Sequence, residues 1–338
     1  MLRRRKLSEV ALAAAAMLPL LGCSGGSQHA ADEIYFLVAA NTRIPYWQAA
    51  AAGIRQAATQ LGVRWEVVGP ETYDPKAQQQ AFHGLLSRNP KPSGILVSPA
   101  DPALMQPEID AAISQGIPVI TIDSDAPASK RLLYIGTDNY AVGVMAAQVL
   151  VKQMEGKGSV VVFSMPGQRN LADRLRGYRD VLATHPQVKI AEVVDIKGDP
   201  AVAFDRTTAI VDQGKPPADA FACLEALACP EVAEVLDRKR VSGKTLVAMD
   251  TEELTLERIK GGVIAATVAQ KPFTMAFVGV KTLDDLHHHM PASLDRKFAQ
   301  DLFSPIPAFI DTGATLVDKS NVEEFIQARG AATPAGKK

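Results

Sequence analysis

Short, almost wholly apolar runs alternate with longer segments of mixed hydrophobic and polar residues along most of the chain. The run Gly-Ile-Leu-Val at 94–97 is typical of the short runs, and strands covered by helices on both faces have such sequences. The runs predict strands at 34–40, 65–68, 94–98, 119–123, 133–135, 160–164, 190–195, 220–224, 246–250 and 264–269. The intervening segments predict helices at 46–61, 75–87, 102–114, 140–154, 172–184, 201–213, 230–237, 255–260 and 275–288.

Regular alternation of strand and helix predicts parallel βαβ units and therefore an α/β fold. These strands are too many for one compact sheet of ordinary size, so we expect two doubly wound parallel-sheet lobes. Gly62 and Gly116 follow predicted helices, as helix-ending glycines do. In such sheets a ligand lies outside the carboxyl ends of the strands, which makes the residues just past each strand the candidates for a binding crevice.

Residues 1–22 have the pattern of an export signal. Basic residues at 3–6 precede an apolar run at 10–21, which is shorter than the roughly 20 residues that a membrane-spanning helix needs. The run ends in Leu-Leu-Gly before Cys23, which resembles a bacterial lipoprotein signal. That resemblance implies cleavage before Cys23 and acylation of Cys23, with 23–32 as a flexible tether. The alternative is an ordinary secretory signal with an incidental cysteine.

The composition excludes several classes of protein. The 338 residues carry 36 basic and 37 acidic side chains, so the chain lacks the basic excess that drives binding to nucleic acid. Three cysteines are too few for a disulfide-dense scaffold. A hydrophobic content of 47% and a charged content of 22% are ordinary for a globular protein. We therefore expect an exported globular protein in the periplasm or at the cell surface.

Candidate ligand-binding side chains stand at the predicted strand ends of the first lobe. Tyr46 and Trp47 follow the first strand, and their flat rings suit the apolar faces of sugar rings, bases or aromatic ligands. The alternative for Trp47 is a place in the core. Asp123 ends the fourth strand, where a carboxylate can accept two hydroxyl hydrogens of a polyol, or can instead cap a helix.

The second lobe offers a matching set. Arg174 opens a predicted helix and can donate through a planar fork, unless it or Arg176 is a solvated surface charge. Asp250 ends a strand as Asp123 does, and Gln270 ends another with an amide that both donates and accepts. Together the two lobes predict a site for a polyhydroxylated ligand, with neither a metal nor a cofactor.

Several short motifs have the order and spacing found in the periplasmic sugar-binding proteins of the ribose-binding type, which serve ABC importers. The sequence resembles that family. The resemblance covers about 34–325. It rests on the segments 45–47, 94–101, 117–123, 135–139, 174–178, Asp250, 266–270 and 311–317 with Asn321. It implies a first lobe of 33–137 and 271–303, a second lobe of 138–270 and 304–330, and a tail at 331–338. The chain would cross between lobes near 137–138, 270–271 and 304–308.

The resemblance also assigns roles to single residues. Tyr46 and Trp47 fall on the family's stacking aromatics, and its polar ligands fall on Asp123, Arg174, Asp250 and Gln270. The sequence departs from the family at three positions, where Ile44 replaces an asparagine, Ser124 an arginine, and Leu224-Glu225 an asparagine–aspartate pair. These changes leave the identity of the sugar open, and Glu225 and Arg43 are candidates to compensate.

By this resemblance the protein is a monomeric binding lipoprotein without enzymatic activity. It would take up a sugar, deliver it to the permease of an ABC transporter, and stay on the membrane through Cys23. One alternative is a sensory partner that presents ligand to a chemoreceptor or a histidine kinase. A second alternative is a binder of another small polar solute, and a third is a secreted glycosidase that uses Asp123 and Asp250 as its carboxylate pair.

Two further features concern cysteines and histidines. Cys223 and Cys229 are six residues apart and face an oxidising compartment after export, so they form either a disulfide or two buried thiols. The histidines at 287–289 are adjacent on a predicted helix and point in different directions. We therefore expect a solvated helix end there and no metal site.

Overall fold

The computed structural model describes residues 29–332, apart from 292, 295–297, 299 and 300. Its strands are β1 Ile34–Val38, β2 Arg64–Val68, β3 Gly94–Val97, β4 Val119–Ile122, β5 Leu133–Gly136, β6 Gly158–Ser164, β7 Val188–Asp195, β8 Ala220–Cys223, β9 Thr245–Met249, β10 Ala266–Ala269, β11 Phe309–Asp311 and β12 Thr315–Asp318. Its helices are α1 Pro45–Leu61, α2 Pro75–Leu86, α3 Pro102–Ser114, α4 Asn139–Gln153, α5 Arg169–Ala183, α6 Pro200–Gln213, α7 Ala228–Arg238, α8 Glu253–Lys260, α9 Pro272–His288 and α10 Val322–Ala332.

The strands form two sheets of six. The first sheet has the order β11-β5-β4-β3-β1-β2, and the second has the order β12-β10-β9-β8-β6-β7. Neighbouring strands are parallel except β10 and β12, which are antiparallel. Each sheet has its own cluster of buried apolar side chains, so the molecule has two lobes with separate cores. The α/β fold with two doubly wound lobes is confirmed.

Local sequence signals explain where many helices begin. Proline opens α1, α2, α3, α6 and α9, where its missing N–H has no intrahelical partner to lose. The carboxylates of Asp74, Asp101 and Asp199 accept backbone N–H groups of the first turns of α2, α3 and α6. The helix starts therefore follow from capping residues as much as from hydrophobic periodicity.

Close helix packing fixes the layers beside each sheet. In the first lobe α1 packs on α9, and a Cβ added to Gly53 would lie 2.2 Å from the carbonyl oxygen of Phe273. In the second lobe α4 packs on α5, and a Cβ added to Gly143 would lie 2.2 Å from the carbonyl oxygen of Arg174. Only glycine allows these backbones to approach so closely. The second contact sets the position of α5, the helix that carries Arg174.

The third passage between lobes differs from the sequence-based prediction. Strand β11 pairs with β5 at the edge of the first sheet, whereas β12 pairs with β10 of the second sheet. The chain therefore crosses at 312–314, and the prediction of a crossing at 304–308 is wrong. Residues 309–311 belong to the first lobe, because a three-residue edge strand adds a last parallel neighbour to β5.

Both ends of the described chain are more ordered than expected from the sequence. Helix α10 reaches Ala332, two residues into the predicted tail. At the other end, His29 of the predicted tether and Glu33, the first residue after it, contact α9. The signal at 1–22, Cys23 and 333–338 lie outside the described residues. Within 29–332, apart from the gaps given above, no helix has the length and apolar content to cross a membrane.

Candidate functional site

The carboxyl ends of the strands in the two lobes face each other across a cavity. The cavity volume open to the centre of a water molecule is about 70 Å³. Seven of the eight residues predicted to bind ligand line this cavity: Tyr46, Trp47, Asp123, Arg174, Glu225, Asp250 and Gln270. Because these side chains come from both lobes, the cavity exists only when the lobes are close together.

Tyr46 and Trp47 form an aromatic wall on the side of the first lobe. Their rings meet edge to face with centroids 5.2 Å apart, and both side chains are buried. The hydroxyl of Tyr46 donates a hydrogen bond of 2.7 Å to Oδ1 of Asp123. Trp47 both lines the cavity and belongs to the core of the first lobe, so its two alternative roles are compatible.

Asp123 holds a position that bridges the lobes. Its Oδ2 accepts a hydrogen bond of 3.0 Å from the hydroxyl of Ser98 and one of 3.4 Å from the amide of Asn170, which lies on α5 of the second lobe. Asp123 and Asp250 both have positive φ, at 62° and 66°, immediately after β4 and β9. Such backbone geometry is uncommon outside glycine and concentrates at functional sites.

Arg174 is fully buried and supplies the positive charge of the cavity. Its Nε donates to Oδ1 of Asn139 at 2.8 Å, and its Nη1 donates to the carbonyl of Leu224 at 2.6 Å. Its Nη2 is buried and has no partner among the described residues. Arg176 instead lies on the surface, where it pairs with Asp173 at 3.1 Å. Arg174 is therefore the arginine of the cavity.

Gln270 and Asp250 form a hydrogen-bonded pair in the cavity lining. The Nε2 of Gln270 donates to Oδ1 of Asp250 at 3.0 Å, and this leaves Oε1 of Gln270 buried without a partner in the described structure. Thr267 donates to the backbone carbonyl of Asp250 at 2.7 Å and steadies the strand end. The pair thus presents one unused amide oxygen beside a carboxylate.

Glu225 sits on a loop that several contacts constrain. Its carboxylate accepts the backbone N–H groups of Leu227 and Ala228, so it caps the start of α7. A disulfide joins Cys223 to Cys229 across the same loop, with Cα atoms 5.6 Å apart. Since Leu224 also accepts from Arg174, this short loop fixes part of the wall of the second lobe.

The cavity has more acids than bases. Among the described residues that line it, Asp123, Glu225 and Asp250 are acidic and Arg174 is the one basic side chain. Burial raises the pKa of Glu225 to about 7 and that of Asp250 to about 6, and the positive charge of Arg174 opposes both shifts. Burial also raises the pKa of Asp123. An additional positive charge would therefore be favourable here.

Sequence reasoning missed several residues of the lining. Asn41, Tyr73, Gln168 and Asn170 line the cavity as well. Asn170 precedes Arg174 by one helical turn on α5, so the spacing of four residues was a signal that could have found it. The other three lie on loops or at a helix start, where the sequence gives no periodic pattern.

Arg43 lies outside this cavity. Its side chain is 68% exposed and pairs with Glu71, so the compensating role suggested for it has no support in the geometry. A salt bridge with a neighbouring loop satisfies the guanidinium in solvent instead. Of the two candidates to compensate for the missing family residues, Glu225 alone lines the cavity.

Comparison with known proteins identifies the family. Residues 34–288 match the model described as a periplasmic binding protein domain. The chain belongs to this family. The sequence-based resemblance to the family is therefore confirmed, and the family acts outside the cytoplasm.

Individual relatives are sugar-binding proteins by their names. A ribose import binding protein of Bacillus subtilis (strain 168) is 26% identical over 254 residues, which cover 72% of this chain and 78% of that protein. The arabinose-binding protein AraP of Geobacillus stearothermophilus is 31% identical, with a TM-score of 0.71 over 87% of this chain and 99% of AraP. An ABC transporter solute-binding protein of Burkholderia graminis C4D1M in complex with D-arabinose is 27% identical, with a TM-score of 0.77 over 87% of this chain and 98% of that one.

Proposed function

We propose that this protein captures a monosaccharide or related polyol between its lobes and delivers it to the permease of an ABC transporter. The observation that carries the proposal is the pair of buried, unpartnered groups in the cavity lining, Nη2 of Arg174 and Oε1 of Gln270. A buried polar group without a partner costs about 1–3 kcal/mol, which a ligand that supplies the partner recovers. A donor and an acceptor in one cavity lining suit hydroxyl groups, since a hydroxyl can serve either.

The aromatic wall fits the same ligand. Tyr46 and Trp47 offer an apolar face, and the carboxylates of Asp123 and Asp250 accept hydroxyl hydrogens. A binding role for Asp123 needs fewer changes than a catalytic role in a glycosidase, because Tyr46, Ser98 and Asn170 already donate to its carboxylate oxygens. The relatives named above are likewise binding proteins.

A second candidate is a polar solute that carries an ammonium group, such as an amino sugar. The excess of carboxyl groups over Arg174 in the lining favours it. Ser124 stands where the family often has arginine, and Glu225 adds a carboxyl to the wall. A protonated amine beside Glu225 or Asp250 would favour their ionised forms and balance the charge.

Thermal melting of the purified protein should separate these ligand classes. At 100 times its dissociation constant, a ligand stabilises the folded protein by about 2.7 kcal/mol, which is a readily measured shift. We expect a shift with at least one compound in a panel of pentoses, hexoses, polyols and their amino derivatives. A larger shift for an amino sugar than for its neutral parent would favour the second candidate. Binding of an amino acid alone would favour the second candidate, and binding of a nucleoside alone would contradict both.

Delivery to a permease is a separate step that needs its own test. If the protein feeds a transporter, deleting its gene should abolish uptake of the radiolabelled ligand found by melting. If uptake persists and a transcriptional response to that ligand disappears, the sensory role is correct instead. Ligand binding in vitro would be the same in both cases.

We also propose that Cys23 is a lipid anchor, from the lipoprotein-like ending of the signal at 1–22. A Cys23→Ala protein should lack acyl chains and leave the membrane fraction, because several acyl chains together are needed for stable anchoring. Intact-mass spectrometry and fractionation measure this. A Cys223→Ala protein, in which acylation of Cys23 is untouched, is the control and should remain with the membrane. Acylation that persists without Cys23 would overturn the assignment.

A further inference from the structure

Four potential metal ligands meet at the end of the first lobe that is remote from the cavity. His29 and Glu33 come from the segment before β1, and Asp284 and His288 lie one turn apart near the end of α9. One ligand atom from each residue can be chosen so that all four lie within 4.8 Å of one another. No sequence pattern predicts this group, because about 250 residues separate its two halves.

The distances within the group are close to those of a coordination sphere. Nε2 of His29 lies 3.0 Å from Oδ1 of Asp284, and Nε2 of His288 lies 3.4 Å from Oε1 of Glu33. Zinc bonds to nitrogen and oxygen of about 2.0–2.2 Å in a tetrahedron place neighbouring ligands roughly 3.3 Å apart. Small side-chain movements would therefore suffice to form a complete sphere.

An unpartnered buried oxygen points independently to a missing ligand. Glu33 is 6% exposed, and its Oε2 has no hydrogen-bond partner in the described structure. A buried carboxylate oxygen without a donor is costly and calls for a cation or a proton. A metal ion bound through Oε2 would satisfy that oxygen, whereas Oε1 already accepts the backbone N–H of Ala30.

Neighbouring groups orient two of the ligands. Nδ1 of His288 lies 2.9 Å from the backbone carbonyl of Asp284, which can only accept, so the neutral ring carries its proton on Nδ1 and keeps the lone pair on Nε2. The hydroxyl of Tyr35 donates to Oδ1 of Asp284 at 3.1 Å. Supporting hydrogen bonds of this kind fix the ring tautomer and carboxylate orientation in metal sites.

We propose that His29, Glu33, Asp284 and His288 bind a zinc ion that fastens the N-terminal segment to α9. Two imidazoles and two carboxylates are a donor set that zinc accepts, and the two negative charges balance its charge. This proposal departs from the sequence-based expectation of a solvated helix end without a metal site, although His288 is exposed as that expectation requires. His289 points away and pairs with Asp285 in solvent.

Calorimetric titration of zinc chloride into the tag-free, EDTA-treated full protein tests the site. We expect one zinc per protein, and at least a tenfold weaker affinity in His29→Ala and in His288→Ala. His289→Ala changes the adjacent exposed histidine and should bind zinc as the unmodified protein does. Circular dichroism of each variant checks that it folds.

Cobalt provides a second measurement on the same proteins. Tetrahedral Co²⁺ bound in place of zinc should give intense visible absorption that His288→Ala loses and His289→Ala keeps. Zinc affinity that is unchanged in both His29→Ala and His288→Ala would overturn the proposal, as would the absence of any zinc binding. In that event the four residues form only ion pairs that fasten the segment. The result is independent of what the cavity binds.

Discussion

Replacing Arg174 with methionine should remove ligand binding and also destabilise the second lobe. The guanidinium is buried, donates to Asn139 and to the carbonyl of Leu224, and has an Nη2 group without a partner among the described residues. Its loss leaves Asp123, Glu225 and Asp250 without a positive neighbour in the cavity lining. Removing one partner of a buried charged group typically costs about 3–5 kcal/mol. Urea unfolding and ligand titration measure the two effects.

Arg176→Met on the same helix is the matched control. Arg176 is exposed, pairs with Asp173 and lies over the ring of Tyr140, so its loss should cost about 0–1 kcal/mol and leave ligand affinity unchanged. Equal effects of the two substitutions would contradict the assignment of Arg174 to the cavity. Loss of binding without loss of stability in Arg174→Met would mean that the folded protein tolerates the three carboxyl groups of the cavity on their own.

The free energy of unfolding of the ligand-free protein should decrease as pH rises from 5 to 8. Burial raises the pKa of Glu225 from 4.5 to about 7 and that of Asp250 from 3.8 to about 6, so the folded protein binds more protons than the unfolded chain in this range. Stability is therefore fully present below the unfolded pKa values and is lost as pH rises through the folded ones. We expect about 2 kcal/mol from Glu225 and about 1 kcal/mol from Asp250. Urea unfolding at several pH values measures the slope.

Glu225→Gln should flatten this pH dependence, because the neutral amide needs no proton. Glu324→Gln on α10 changes an exposed carboxyl group and should keep the original slope. A slope that Glu225→Gln leaves unchanged would show that the carboxyl is solvated in the ligand-free protein. A cationic ligand should reduce the slope of the unmodified protein, since it favours the ionised carboxylates.

The sequence alone was sufficient to predict the repeated units of strand and helix. Runs such as Gly94–Val97 are buried on both faces, so their composition alone identifies them as strands. Strands β11 and β12 were missed because they have three and four residues, lie at sheet edges and are partly exposed. The error in the third crossing followed from the same weak signal.

The cavity was predictable where a strand end fixed the position of a side chain. Asp123 and Asp250 follow β4 and β9 directly, and the parallel strands of each sheet bring their carboxyl ends to the edge that borders the cavity. Arg43 was a candidate for ligand binding but lies outside the cavity, because its long side chain extends from a loop into solvent and pairs with Glu71. The pairing of His29 with Asp284 depends on how the chain returns through α9, which no local pattern encodes.

The disulfide beside the cavity makes the structure of the cavity wall depend on the compartment in which the chain folds. The loop that carries Glu225 and the carbonyl of Leu224 is closed by a covalent bond between Cys223 and Cys229. Such bonds form after export and are rare in the reducing cytosol. A copy of this protein retained inside the cell would lack the cross-link in that wall of the cavity. Completion of the binding surface is thereby linked to secretion, and laboratory production should use an oxidising compartment.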